Sequence, residues 1–278
     1  MKLFLSVALT MCAFAANSLL NRIGVAIHGM DAMDFATVRT ATGAAMLWLL
    51  IGLRSAPLPR VFSAKRFWSG LCLALYMIGF SWAYISLDAG LGALILFGVI
   101  QVVIFGWSAL SGDTIPALRW LGAGIALAGL AVLLWPQGTA QVPLWGAVSM
   151  SAAGIGWAAY TLLGRTESDP MGATAANFLL CLPLVAIVLL IFGIGTWPVA
   201  GLVAATVAGA ITSGLGYALW YRVLPRLPAT IAGVAQLSVP VIAVIGGSLI
   251  LSEQLGPRLL VAGALVLGGI ALSLLARR

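Results

Sequence analysis

Ala16-Asn17-Ser18-Leu19-Leu20-Asn21-Arg22 returns 143 residues later as Ala159-Tyr160-Thr161-Leu162-Leu163-Gly164-Arg165. The copy keeps the small first residue, the Leu-Leu pair and the closing arginine. Two further echoes follow in the same order. Tyr84-Ile85-Ser86-Leu87 returns as Tyr221-Arg222-Val223-Leu224, 137 residues on. Asp113, with Ala123-Gly124 and Gly129 after it, returns as Glu253 with Ala262-Gly263 and Gly268, at offsets of 140 and 139. Apolar sequence aligns by chance at any one place, but three matches in register across half the chain mark an internal repeat.

The chain around these echoes is built for lipid. Of its 278 residues, 62% are hydrophobic and 8% charged, and the mean hydropathy is +1.13. Soluble domains carry roughly 25% charged residues, so lipid must replace water as the outer solvent. A span needs about 20 apolar residues, and pattern and punctuation place ten of them near 3–27, 34–53, 66–87, 90–110, 116–135, 143–164, 171–194, 198–222, 228–251 and 256–275. Pro116, Pro143 and Pro198 suit first turns, where a missing N–H costs nothing.

Five spans per repeat is an odd number, so the second copy must enter the membrane from the opposite side. The expected fold is therefore all-α and integral to the membrane: ten transmembrane helices as two inverted five-helix repeats around a central cavity. Residues 1–138 and 139–278 form the repeats of a single membrane domain. Such folds hold ligand near the midplane and open to the two sides alternately.

Orientation follows from the basic residues. With the N-terminus inside, eleven of them (Lys2, Arg54, Arg60, Lys65, Arg66, Arg119, Arg165, Arg222, Arg226, Arg277, Arg278) face the cytoplasm and three (Arg22, Arg39, Arg258) do not. That bias predicts cytoplasmic termini in a bacterial inner membrane. It also accounts for the net charge of +7 without a nucleic-acid partner. Lys2 and Ala13-Phe14-Ala15-Ala16 imitate a signal peptide, but the apolar run continues past them and the repeat claims the same residues, so retention is expected. Met11 before Cys12 argues against lipid attachment. Cys12, Cys72 and Cys181 read as small buried hydrophobes.

Phe35-Ala36-Thr37-Val38-Arg39, the stretch from Ser111 to Gly124, and Leu251-Ser252-Glu253-Gln254-Leu255 resemble motifs of the drug/metabolite transporter superfamily. The similarity is greatest to its ten-helix EamA-like exporters and covers essentially the whole chain. It implies efflux of amino acids or related metabolites. Trp157-Ala158-Ala159-Tyr160 is similar to a stretch in YddG-type exporters of aromatic amino acids. One departure is that Gln101 lies where the first repeat commonly carries proline, whereas the second keeps Pro240, so the halves are expected to move unequally. In the family the last helix of each repeat also resembles a dimer-contact element, which makes a homodimer a candidate assembly.

Polar groups inside spans are costly and mark sites or interhelical contacts. Asn17 and Asn21 share one face of the first helix and read either as bundle contacts or as a polar stripe on a cavity. Arg39 reads first as an ion pair with Asp31 or Asp34, and alternatively as a carboxylate anchor. Gln101 and Gln236 place amides on two central hairpins. Tyr76, Phe80 and Tyr84 recur every fourth residue, and Trp157 and Tyr160 stand three apart; either set suits an aromatic-walled pocket or plain packing. Trp68, Trp120, Trp135, Trp145, Trp197, Trp220 and Tyr221 fall near span ends and read as interface belt. Pro183 and Pro240, expected near the centres of helices seven and nine, are candidate kinks or hinges; their first-repeat counterparts are near Ala45 and Gln101. Asp113 and Glu253 are expected to cap the helices that follow them.

The expected function is a secondary transporter exporting small metabolites, with aromatic or hydrophobic amino acids favoured, by facilitative or exchange transport. No carboxylate is expected deep in a span, which disfavours proton coupling. A nucleotide-sugar or sugar-phosphate antiporter is the near rival and would want several cavity cations; a non-transporting membrane assembly protein is the distant one. One loop histidine, His28, and unpaired cysteines give no basis for enzyme chemistry, a metal or a cofactor.

Overall fold

A computed structural model describes residues 2–54, 57–111, 116–134, 142–165, 167–227 and 235–275. Among these residues there are ten helices and no strands. They are α1 (Lys2–Ile27, its last six residues a π-helix), α2 (Ala32–Gly52), α3 (Ala64–Ala83), α4 (Ala89–Leu110), α5 (Ala117–Leu134), α6 (Leu144–Gly164), α7 (Pro170–Phe192), α8 (Val199–Val223, π-helical from Ala208 to Leu215), α9 (Ser238–Leu251) and α10 (Pro257–Leu275). The starts are written locally: Asp31 accepts from the Met33 N–H at 2.8 Å, Ser63 from Arg66 at 3.2 Å and Asp169 from Gly172 at 3.0 Å, as N-caps do.

Five helices (α1, α2, α4, α7 and α8) are long and apolar enough to cross a membrane, and α5, α9 and α10 contain shorter apolar stretches. The remaining two, α3 and α6, pack chiefly on each other. A Cβ at Gly79 would meet the Ser149 carbonyl and Ala153, and one at Gly156 would meet the Cys72 carbonyl. Small residues let helix backbones meet where lipid gives no hydrophobic drive between helices.

The other principal seams join α5 with α10, α2 with α7 and α8, α3 with α7, α4 with α6 and α9, and α1 with α8 and α9. Gly122 and Gly269 meet across the α5–α10 seam, while Gly124 and Gly268 face open space.

Pro183 lies inside α7 as expected. Pro240 does not lie mid-helix. Residues 235 and 236 are helical, Leu237 interrupts, and α9 begins at Ser238, so Pro240 sits in a first turn. A proline cannot bond to the carbonyl four residues back, which accounts for a break just before it. The start expected at 228 lies outside the described residues, as do Asp113 and Trp135.

Candidate functional site

A cavity of about 210 Å³ opens among α1, α6, α7, α8 and the residues before α9. Trp157 stacks on Tyr217 with centroids 5.5 Å apart and planes at 22°, and Phe14 closes on Tyr217 from α1, also at 5.5 Å. Beside these rings lies a polar group from α6 and α7, the Tyr160 ring being 5.6 Å from that of Trp157. The Tyr160 hydroxyl donates to Thr174 Oγ1 at 3.2 Å and accepts from Asn177 Nδ2 at 3.5 Å, leaving Asn177 Oδ1 buried and unpartnered. Arg165, Glu167 and Pro170 line the same cavity from the α6–α7 turn, and Gln236 lines it from the break before α9. An apolar wall with a few convergent polar atoms is what a small-molecule site requires.

Of the residues singled out in the sequence, Trp157, Tyr160 and Gln236 line this cavity. Tyr76 touches it through Trp157, at 4.8 Å between centroids, and continues a ring column to Phe80 at 5.2 Å and Tyr84 at 4.9 Å. Tyr84 is fully buried and its hydroxyl donates to the Ala89 carbonyl at 3.3 Å. Gln101 is half-buried on α4 and is not part of the lining.

Asn17 and Asn21 join helices. Asn17 Oδ1 accepts from Thr212 at 2.7 Å and from Ser213 at 3.3 Å, both on α8, and Asn21 Oδ1 accepts from Ser81 of α3 at 2.9 Å.

Arg39 overturns the expected ion pair. It is fully buried, Nε donates to Ser213 Oγ at 3.3 Å and Nη2 to the Tyr76 hydroxyl at 3.1 Å. The guanidinium carbon lies 5.4 Å and 5.0 Å from the Tyr76 and Phe80 centroids. The aspartates are committed elsewhere: Asp31 caps α2, and buried Asp34 accepts from the Gly195 N–H at 2.8 Å.

Two ionic clusters lie at opposite ends of the bundle. At one, Arg22 pairs with Asp88 at 3.2 Å and lies 4.0 Å from Glu253. Glu253 does not cap α10, the helix after it. Ser252 takes the left-handed conformation at φ 56° and the chain turns back, so Glu253 Oε1 accepts from the Ala89 N–H at 2.7 Å and caps α4. Burial pushes the Glu253 carboxyl up, against the pull of the Ala89 and Gly90 N–H groups.

At the other end, Arg54 holds Asp169 at 2.9 Å, while Lys65 and Arg66 hold Glu167 at 2.6 Å and 2.7 Å. The hydrogen bond from Arg54 keeps the Asp169 carboxyl below its ordinary range. Burial works upward on Glu167, but its two cations outweigh it and the net shift is downward.

Phe14, Thr174, Asn177, Tyr217 and Tyr221 belong to the lining and were not singled out for it. A signal existed for the tyrosines: Tyr217 and Tyr221 repeat the spacing of Phe80 and Tyr84 at the same 137-residue offset. Tyr221 lines the cavity and Trp220 is buried 6.1 Å from Phe14, so neither is interface belt; Trp68, Trp120, Trp145 and Trp197 are exposed.

The helices define a membrane-type, all-α protein with an internal ligand-sized hollow. A sequence profile of the EamA-like transporter family matches residues 144–275. The uncharacterized protein PA1977 of Pseudomonas aeruginosa is 45% identical over 271 residues, covering 97% of this chain and 93% of its own. A Streptantibioticus cattleyicolor protein described as a "probable terminal-alkyne amino-acid exporter" is 25% identical, over 72% of this chain and 69% of its own. A protein of known crystal structure shares the fold at a TM-score of 0.67 and 19% identity, covering 96% of this chain and 98% of that one. The chain belongs to the EamA-like transporter family.

Proposed function

We propose that this transporter exports amino acids, aromatic or hydrophobic ones foremost, across a bacterial inner membrane by alternating access between two inverted five-helix halves, 1–138 and 139–278. Both termini are cytoplasmic, and the cavity described above is open toward that side. The cavity itself carries the reading: stacked aromatic walls for an apolar side chain, beside a hydroxyl-amide cluster that can donate to and accept from an amino acid's polar end. The relative described as an amino-acid exporter supports the substrate class.

The packing supports the inverted repeat. Adding or subtracting five in helix number carries the α3–α6 seam onto α8–α1, α2–α8 onto α7–α3, and α4–α6 onto α9–α1. The α2–α7, α4–α9 and α5–α10 seams map onto themselves, as helices straddling a two-fold axis do. The offset of 143 sets Phe14 against Trp157, and that of 137 sets Phe80 against Tyr217, so the same aromatic pattern is written on both halves.

Transport is facilitative or an exchange. The cavity's one acidic side chain among the described residues, Glu167, is at the mouth and engaged by Lys65 and Arg66. The test is uptake of labelled amino acids, sugar phosphates and nucleotide sugars into proteoliposomes, with and without a protonophore. Saturable amino-acid flux that survives proton-gradient collapse is expected. Flux of sugar phosphates alone, or of nothing, ends the reading.

A further inference from the structure

Arg39 sits mid-bundle in α2 with no carboxylate pairing among the described residues and with no measurable exposure. A guanidinium keeps its charge wherever it is placed, and a buried charge is normally matched by an opposite one. Here two neutral hydroxyls take Nε and Nη2, two ring faces take the cation, and Nη1 remains buried without an acceptor.

The location is specific. Trp157 lines the cavity, Tyr76 lies behind Trp157, and the Arg39 guanidinium lies behind Tyr76. Two aromatic rings, Trp157 and then Tyr76, therefore separate the hollow from the only basic side chain placed in mid-span among the described residues.

The repeat gives this position a partner. The offset of 138 that sets Pro183 against Ala45 sets Asn177 against Arg39. The two share a local arrangement: each donates to a tyrosine hydroxyl, Tyr160 or Tyr76, and each keeps one buried polar atom without a partner. Asn177 meets the cavity; Arg39 is its shut counterpart.

We infer that Arg39 Nη1 is the anchor for the ligand's carboxylate, reached when the Tyr76–Trp157 contact parts, so that the transported species carries an anionic carboxylate and not merely an aromatic body. This rests on the exporter reading for its route of access. A dianionic phosphate fits less well, since no second cation adjoins Arg39 among the described residues.

The experiment uses the full chain in proteoliposomes and three probes: L-phenylalanine, L-phenylalaninamide, which keeps the amine but loses the anion, and 3-phenylpropionate, which does the reverse. Wild type is expected to carry both carboxylates at least tenfold faster than the amide. Arg39→Gln should lower both carboxylate fluxes at least tenfold and leave the amide within twofold, with Arg39→Lys restoring part of the carboxylate flux. Equal loss for all three probes makes Arg39 a packing element and overturns the inference, as does unchanged carboxylate flux. Should Arg39→Gln not yield folded protein, wild type alone decides: equal flux of phenylalanine and its amide overturns the anchor and leaves the exporter standing. Carriage of phenylpropionate without phenylalanine keeps the anchor and ends the amino-acid reading. Carriage of no carboxylate at all overturns both.

Discussion

Two regions of the bundle each centre on a tyrosine hydroxyl bonded to a buried polar side chain, and they differ in charge and in whether a hollow lies beside them. Where α2 meets α3 and α8, Arg39, Tyr76, Ser213 and Asn17 form a shut polar seam beneath Phe80. Where α6 meets α7 and α8, Asn177, Tyr160 and Thr174 face a hollow beside Trp157 and Tyr217. Only the shut seam holds a cation, and the packing around the two groups differs as well. On the shut side, a Cβ at Gly209 would collide with the Arg39 carbonyl and Thr42, and one at Gly43 with Phe178. On the hollow side, Trp157, Tyr217 and Tyr221 line open space between the helices.

The largest effect should come from prising the shut seam open. Gly209→Leu must push α8 off α2, and overpacking of this kind costs about 3 kcal/mol. Thermal unfolding in detergent should fall steeply, while Gly124→Leu, which meets open space, should melt close to wild type. Equal melting of the two would show that the seam has slack.

Removing a wall of the hollow comes next. Trp157→Ala should reduce flux about tenfold, equivalent to ~1.4 kcal/mol, without preventing membrane insertion. Gln101→Ala, off the lining, should reduce it by about twofold, or ~0.4 kcal/mol. A reversed order would move the working surface to α4.

A subtler contrast separates the two asparagines. Asn17→Ala deletes an acceptor shared by Thr212 and Ser213 and should lower stability by about 1 kcal/mol, the scale of an interhelical hydrogen bond in a bilayer. Asn177→Ala deletes one long hydrogen bond of 3.5 Å, so its melting should change less and its transport more. Parallel changes in both variants would erase the distinction between seam and site.

The smallest effect is set by pH. Asp169 and Glu167 are held below their ordinary values of 3.8 and 4.5, so their ion pairs contribute above those values and are lost as pH falls through the lowered ones. Glu253 is shifted upward from 4.5, so the stabilisation linked to its proton is present in acid and lost as pH rises through its higher value. Hydrogen exchange, corrected for intrinsic rates, should therefore quicken around residues 63–67 and 167–169 below about pH 4 and not around 86–90. Uniform quickening would mean global loosening.

Much of this was legible beforehand for a physical reason. Lipid forces each span to satisfy its own backbone and stay apolar for about 20 residues, so most helix boundaries can be read directly. Trp157 and Tyr160 were likewise legible, because their spacing shares a helix face. Depth and partner choice were not. Arg39 looked ready to pair with Asp31 or Asp34, yet both sit at the start of α2, where backbone N–H groups claim them. Glu253 was read as serving the next helix, because nothing local reveals that the chain doubles back at Ser252. Asn177 was passed over on a strongly apolar helix, although a lone amide there is costly enough to have been a signal.

The wide-wound stretch of α8 from Ala208 to Leu215 has one more consequence. Such a coil stores a surplus residue relative to its α-helical neighbours. If it tightened with its upper end fixed, everything beyond would turn by about 100° and slip about 1.5 Å along the axis. Tyr217 and Tyr221 lie just past it. A register change of a single residue is thus enough to rotate both phenols off one wall of the bundle and toward another, as a camshaft turns its lobes.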